Sequence, residues 1–211
     1  MLRHGKTAYN HNGCYLGKTD APLTETGRQE ILKFAGKLAL PTVDICVVSP
    51  LIRCVQTAEL IWPDCRKLPV KEFEEIDFGL WEGKNYRDLS GDPKYQYWID
   101  HNGEPPFPGG ESRSDFILRV YRGYERMLKL FGGEAPEEAG PFWGTHPVKA
   151  GDEREQIKTL GMVVHGGTIM ALLSTLLGGD YYAYQVPCCC GFSFWLNLAD
   201  STISEVQKLV D

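Results

Sequence analysis

The chain has 211 residues, 43% of them hydrophobic and 24% charged. That is the make-up of a soluble globular protein of one domain, and it excludes a fibrous, collagen-like or wholly disordered chain. Lys and Arg number 22 against 28 Asp and Glu, a net charge of −6, which disfavours non-specific nucleic-acid binding while leaving room for one local cationic pocket.

In chain order, Met1-Leu2-Arg3-His4-Gly5-Lys6 holds no apolar signal segment, and His4 opens a loop. Ile31, Leu32, Ala35 and Leu38 recur on one face and predict a helix over 24–39, stopped by Pro41. Residues 43–48, VDICVV, are apolar and β-branched, as in a buried strand. Ser49-Pro50 reads as an N-cap followed by proline at the first helical position. The helix it starts puts Leu51, Cys54, Val55, Ala58, Ile61 and Trp62 on one side and Arg53, Gln56 and Thr57 on another. A second strand is predicted over 68–73. Residues 74–110 are rich in Gly and Pro and read as a long loop, functional or holding short helices.

Phe116, Val120, Tyr124 and Leu128 form the spine of a helix predicted over 112–131. Residues 132–156 read as a polar excursion in which Trp143, His146 and Lys149 are candidates for a lid. A strand over 160–164 runs through His165-Gly166-Gly167 into a helix over 168–177. That helix carries the longest apolar run, which Ser174 interrupts and which falls far short of the ~20 residues that span a bilayer. Residues 192–198 alternate as an aromatic strand, with 203–209 as its expected partner. Strand–helix alternation predicts an α/β fold, layered as an α/β/α sandwich around a mainly parallel sheet. The whole of 1–211 is expected to be one domain, with insertions at about 74–110 and 132–156.

Seven cysteines, an odd number with no CxxC pair, predict reduced thiols and a cytoplasmic setting. Cys188-Cys189-Cys190 is read as small buried apolar residues and not as a metal site. Consecutive side chains of an extended segment alternate faces, and no histidine stands nearby at ligand spacing.

Two histidines stand before glycine, His4-Gly5 and His165-Gly166, the second where a strand becomes a helix. Strand ends of an α/β sheet are the usual place for ligands. Gly166 and Gly167 would offer backbone N–H groups at a helix start, which favours an anion. Arg3 adjoins His4, and Arg53 lies early in the helix after another strand. Two guanidiniums, two imidazoles and a helix N-terminus suit a phosphoryl group, whose transfer needs positioning and charge neutralisation.

Six stretches carry a resemblance in order: LRHGKTAYN from Leu2, GKTDAPLTETGRQ from Gly17, SPLIRCVQTAE from Ser49, EIDFGLWEG from Glu75, FPGGES from Phe107 and VVHGGTI from Val163. Together they resemble the histidine phosphatase superfamily, the phosphoglycerate-mutase-like proteins, over roughly residues 2–177. The resemblance implies that family's fold and a covalent phosphohistidine. It makes His4 the nucleophile, Arg3 and Arg53 the phosphate clamps, His165 the second pocket histidine, Asn10 a further phosphate contact, and Glu75 the proton donor; Gly166, from its place at a helix start, is a candidate phosphate contact as well. Glu75 is preferred over Glu74 because it lies four residues before Gly79, and like-charged neighbours are expected to raise its pKa. Tyr9, Lys18, Trp81 and Tyr86 are candidate leaving-group contacts. No metal or cofactor is implied, and no HExxH or Walker-type pattern is present.

The compact length and Trp81-Glu82-Gly83 resemble the phosphatase branch, and the stretch from Cys14 to Asp20 resembles α-ribazole-phosphate phosphatases. The expected reaction is therefore hydrolysis of a small phosphate ester, α-ribazole phosphate among the candidates. The alternatives are a cofactor-dependent phosphoglycerate mutase and a weakly catalytic phosphate-binding relative. Two positions depart from the family: Met170 stands where arginine is frequent, and only Met1 and Leu2 precede Arg3, where several apolar residues usually form the central strand. Without them the neighbouring strands are expected to have unpaired groups and His4 to be poorly held.

Overall fold

The computed structural model describes residues 1–132 and 159–210; most of the 132–156 excursion, with Trp143, His146 and Lys149, lies outside them. Six strands form one sheet in the order β3-β2-β4-β1-β5-β6. They are β1 (Leu2–Arg3), β2 (Ile45–Val48), β3 (Arg66–Pro69), β4 (Leu160–Val164), β5 (Gly191–Leu196) and β6 (Ile203–Leu209). The first four in sheet order run parallel, and β5 is antiparallel to both β1 and β6.

The layers follow from alternation along the strands. Cys46 and Val48 of β2 pack with Val163 and with Cys54 and Ala58 of α3 (Ile52–Ile61). Ile45 and Val47 enter the larger core with Phe116 and Val120 of α5 (Arg113–Gly132) and Ile169, Leu172 and Leu173 of α6 (Gly166–Leu177). This is the three-layer α/β/α sandwich with a mainly parallel sheet that the alternation predicts.

The predicted elements hold with shifted ends. Helix α2 (Glu25–Leu38) starts where the Thr24 hydroxyl accepts from Gly27 N–H, and ends at Ala39 with φ 43°, before Pro41 is reached. The strand expected over 68–73 is β3 instead, and Lys71–Phe73 turns into a 3-10 helix. Within 74–110 lie the 3-10 helix Gly79–Trp81 and α4 (Pro93–Asp100), capped by the Asp92 carboxylate with Pro93 at its first turn. A short helix α1 (Ala8–His11) follows the first histidine.

The two-residue β1 occupies the centre of the sheet. Leu2 and Arg3 pair with Val163 and Val164 on one side, and Leu2 pairs with Gly191 on the other. Arg3 N–H donates to Cys190 O at 2.8 Å and His4 N–H to Val164 O at 3.0 Å. His4 is 3% exposed. The expectation that it would be poorly held is therefore corrected: two residue pairs on the β4 flank and one on the β5 flank, extended by these bonds, fix it.

The other half of that expectation has a counterpart at the far end of β1. There Leu160–Met162 pair with β2 but not with β1, and Ser193 onward pairs with β6 alone. Between these strand edges lies a cavity of about 510 Å³ lined by Leu160, Met162, Phe192, Phe194 and Leu196 among others. The Met1 ammonium donates to Phe192 O at 2.8 Å, and burial lowers its pKa to about 6.

All seven cysteines are free. Among the described residues no helix is long and apolar enough to cross a membrane, and no His/Cys/Asp/Glu group is placed to hold a metal ion.

Candidate functional site

The carboxyl ends of β1 and β4 carry His4 and His165, and their rings meet with centroids 5.1 Å apart and planes at 65°. His4 Nδ1 lies 2.7 Å from Gly5 O. A carbonyl only accepts, so Nδ1 carries the proton and Nε2 keeps its lone pair. Burial, then the charges of Arg53 and Arg3, hold both imidazoles well below the usual histidine range.

Helix α3 delivers Arg53, fully buried, into this cluster. Its Nε donates to His165 Nδ1 at 3.3 Å, and its terminal nitrogens donate to Thr19 O at 2.9 Å and Gly17 O at 2.7 Å. The 17–19 turn is pinned from its other side by Glu82, which accepts from Gly17 N, Lys18 N and the Thr19 hydroxyl. Arg3 donates to Val186 O at 2.8 Å, and its buried Nε has no partner. A Cβ at Gly166 would stand 3.3 Å from the Arg3 guanidinium, which places that charge against the α6 N-terminus. Cation and helix dipole thus converge on one point, as an anion requires.

Glu75 is 7% exposed and lies across the cluster, accepting from Gly167 N–H and Ile76 N–H, each at 3.0 Å. Burial raises its pKa despite those donors and the two arginines. The expected cause, like-charged neighbours, is replaced by desolvation. The Gly167 N–H is committed to Glu75, so of the two glycines Gly166 alone keeps its N–H for an anion. Tyr181, on the 3-10 turn Tyr181–Tyr184, reaches Gly167 O at 3.4 Å beside the carboxylate.

The remaining candidates separate. Asn10 spends Oδ1 on Thr7 N–H and on the Thr7 hydroxyl in a capping box, which leaves its NH2 as the end available to a ligand. Lys18 pairs with Asp77 at 2.9 Å and is 57% exposed. Tyr9 is half-buried near Gly83. Tyr86 is 63% exposed and stacks with Arg87. Trp81 is 2% exposed and packs edge-on against Tyr95, Trp98 and Phe107, which makes it core rather than a leaving-group contact.

Sequence reasoning missed Ser49. It is not an N-cap: α3 begins at Ile52, whose N–H donates to the Asp20 carboxylate at 2.7 Å. Asp20 takes the capping role, and the Ser49 hydroxyl faces His165 Nε2 at 2.7 Å. The Cys54 sulfur touches the same ring at 3.5 Å. Thr57 accepts from Gly5 N–H at 3.0 Å, tying the loop after His4 to α3.

A family profile described as the histidine phosphatase superfamily (branch 1) matches residues 1–135. A glucosyl-3-phosphoglycerate phosphatase of Mycolicibacterium vanbaalenii is 30% identical over 96% of this chain and 84% of its own length. An adenosylcobalamin/alpha-ribazole phosphatase of Escherichia coli is 33% identical over 62% of this chain and 66% of its own. The crystal structure of the alpha-ribazole phosphatase from Shigella flexneri superposes with a TM-score of 0.72 over 96% of this chain and 91% of that one, at 23% identity, a likeness of fold.

Proposed function

This chain belongs to the histidine phosphatase superfamily, and on that footing we propose that it hydrolyses a small phosphomonoester through a phosphohistidine on His4. The protein is an enzyme of the phosphatase kind. The observation that carries the mechanism is the pairing of a neutral His4, its Nδ1 tied to Gly5 O, with the unpartnered Nε of Arg3.

His4 Nε2 attacks phosphorus as the ester oxygen leaves. Arg3, Arg53, Gly166 N–H and the Asn10 amide neutralise the phosphoryl oxygens during transfer. His165 stays neutral, its Nδ1 accepting from Arg53 Nε and its Nε2 proton given to Ser49, and so holds the Arg53 guanidinium in place beside the phosphoryl group. Glu75, whose carboxyl burial biases towards the protonated form, gives its proton to the departing alkoxide. As a carboxylate it then takes a proton from water, the water oxygen bonds to phosphorus, the N–P bond breaks, and phosphate leaves.

Relatives bearing the names glucosyl-3-phosphoglycerate phosphatase and alpha-ribazole phosphatase put those two phosphate esters first in a substrate panel. Lys18, Tyr9 and Tyr86 are the proposed leaving-group contacts. We read 1–211 as one catalytic domain.

The test is to trap radiolabelled phosphate on the protein during turnover. Label on His4, phosphate release from the panel and loss of both in folded His4→Ala support the reading. Turnover retained by His4→Ala overturns it. Interconversion of 2- and 3-phosphoglycerate without phosphate release would replace it with a mutase.

A further inference from the structure

Against the backbone of residues 72–75 sits a guanidinium with every donor used. Arg119, on α5, donates from Nε to Glu111 Oε1 at 2.9 Å and from Nη2 to Glu111 Oε2 at 2.8 Å. Its Nη1 donates to Glu72 O at 2.9 Å and Glu74 O at 3.1 Å, and its Nη2 also donates to Glu75 O at 3.3 Å. A guanidinium has five N–H donors in a fixed fork, and these five bonds account for all of them. Glu111 extends the grip: its N–H donates to Asp77 O at 2.9 Å, and its Oε2 accepts from Asp77 N–H at 3.4 Å. The ion pair is substantially buried, with side-chain exposures of 26% and 16%.

We propose that Arg119, braced by Glu111, is a positioning residue that holds the 72–77 segment so that the Glu75 carboxyl meets the leaving oxygen. This rests on the reading of Glu75 as the proton donor. Arg119 touches neither substrate nor reacting atoms; it acts through the carbonyls of Glu72, Glu74 and Glu75. Those three oxygens lie on one short stretch with no regular ladder, so the guanidinium replaces the rigidity that a strand would give. Lysine cannot substitute, because an ammonium has three donors on a flexible stem and no fork to match a carboxylate. The groups facing Glu75 from the other elements are Arg3 on β1, Arg53 on α3 and Tyr181 on the 3-10 turn, and none of them is a hydrogen-bond partner of Arg119.

The experiment compares Arg119→Lys, Arg119→Ala, Glu75→Gln and the double variant Glu75→Gln/Arg119→Ala. Formation of the phosphoenzyme is followed in single turnover with an alkyl phosphate, glycerol phosphate, and an aryl one, p-nitrophenyl phosphate. An alkoxide needs a proton to leave and nitrophenolate does not. A misplaced acid therefore slows the alkyl ester by about 10- to 100-fold while the aryl ester keeps its rate within about twofold. The same variants are expected to lower kcat for the alkyl ester with KM little changed, to shift the basic limb of its pH profile, and to recover rate when guanidinium is added to Arg119→Ala. In the Glu75→Gln background, Arg119→Ala is expected to have no further effect.

Equal losses for both esters, or a further fall in the double variant, mean a merely structural ion pair and overturn the inference. So does a wild-type alkyl rate and pH profile in folded Arg119→Lys. Should Arg119→Ala fail to fold, Arg119→Lys and Glu111→Gln give the same comparison. Wild-type turnover of both esters by Glu75→Gln would instead remove the acid role itself, and this inference with it; a crippled Glu75→Gln beside an unaffected Arg119→Lys removes this inference alone.

Discussion

Ser49 Oγ stands 2.7 Å from His165 Nε2, and Arg53 on the other ring nitrogen sets the direction of that bond. Arg53 Nε can only donate, and it points at Nδ1 from 3.3 Å. Nδ1 therefore accepts, Nε2 carries the proton, and the Ser49 hydroxyl receives it. Removing the hydroxyl in Ser49→Ala leaves a buried N–H without an acceptor, a cost of about 1–3 kcal/mol. The expected result is a lower denaturation midpoint and a fall of roughly tenfold in kcat. Wild-type kinetics in Ser49→Ala would show that the ring is held by Arg53 alone.

Gly167 is a glycine because Glu75 leaves no room beside it. A Cβ there would collide with Glu75 Oε1 and lie 3.1 Å from Phe116 Cε1. Gly167→Ala is expected to fold with α6 intact but to push the carboxylate aside. A displacement near 1 Å at a proton donor costs on the order of 100-fold in turnover. Circular dichroism with steady-state rates on an alkyl phosphate checks both halves; unaltered turnover would mean that Glu75 moves without consequence.

Stability should fall on acidification. His4 and His165 have folded pKa values below the unfolded value of about 6.5. The unfolded chain therefore binds more protons below that pH, and the stability held above it is lost as pH drops. Glu75 has the opposite sign: its raised pKa contributes at low pH and fades as pH climbs through its folded value. Two imidazoles outweigh one carboxyl, so the melting temperature is expected to drop between about pH 7 and about pH 5.5, and less so in His4→Gln/His165→Gln. A flat profile would contradict the buried, neutral histidines.

The cavity beside Met1 predicts the effect of lengthening β1. Continuing its register, added residues would stand opposite Gly161 and Leu160 on one side and Ser193 and Phe194 on the other. Each apolar side chain buried there is worth about 1.5–3 kcal/mol. An amine whose pKa burial lowers to about 6 would also leave the interior, removing the loss of stability that it causes as pH falls from about 8 to about 6. Appending three apolar residues ahead of Met1 is expected to raise the melting temperature by several degrees, and turnover with it, whereas a Gly-Ser extension of equal length is not. Equal melting temperatures and rates in both would show that the cavity does not take a strand.

Local signals made much of this molecule readable. The apolar spacing of Ile31, Ala35 and Leu38 gave α2, and the run ahead of His165 gave β4 to the residue. Asp92-Pro93 carries the start signal of α4, which the surrounding glycines and prolines obscured. Arg3, His4, Arg53, Glu75 and His165 were legible because the motifs around them are ordered along the chain. Ser49 was not, because a serine before proline looks the same whether it caps a helix or faces an imidazole; the distant Asp20 decides between them. Glu82 and Arg119 were missed for a related reason. Their partners are backbone atoms of remote loops, and periodicity holds no trace of such contacts.

The seven free cysteines turn the packing into something that chemistry can time. Cys14 and Cys65 are partly open, while Cys46 and Cys54 are fully enclosed, with burial pushing the Cys46 thiol up to about 12 and Cys54 higher still. Alkylation depends on a reachable thiolate, so the native protein should label quickly at the first pair and slowly at the second. Because the Cys54 sulfur rests on His165, its modification rate is a clock for how often the pocket of paired histidines breathes.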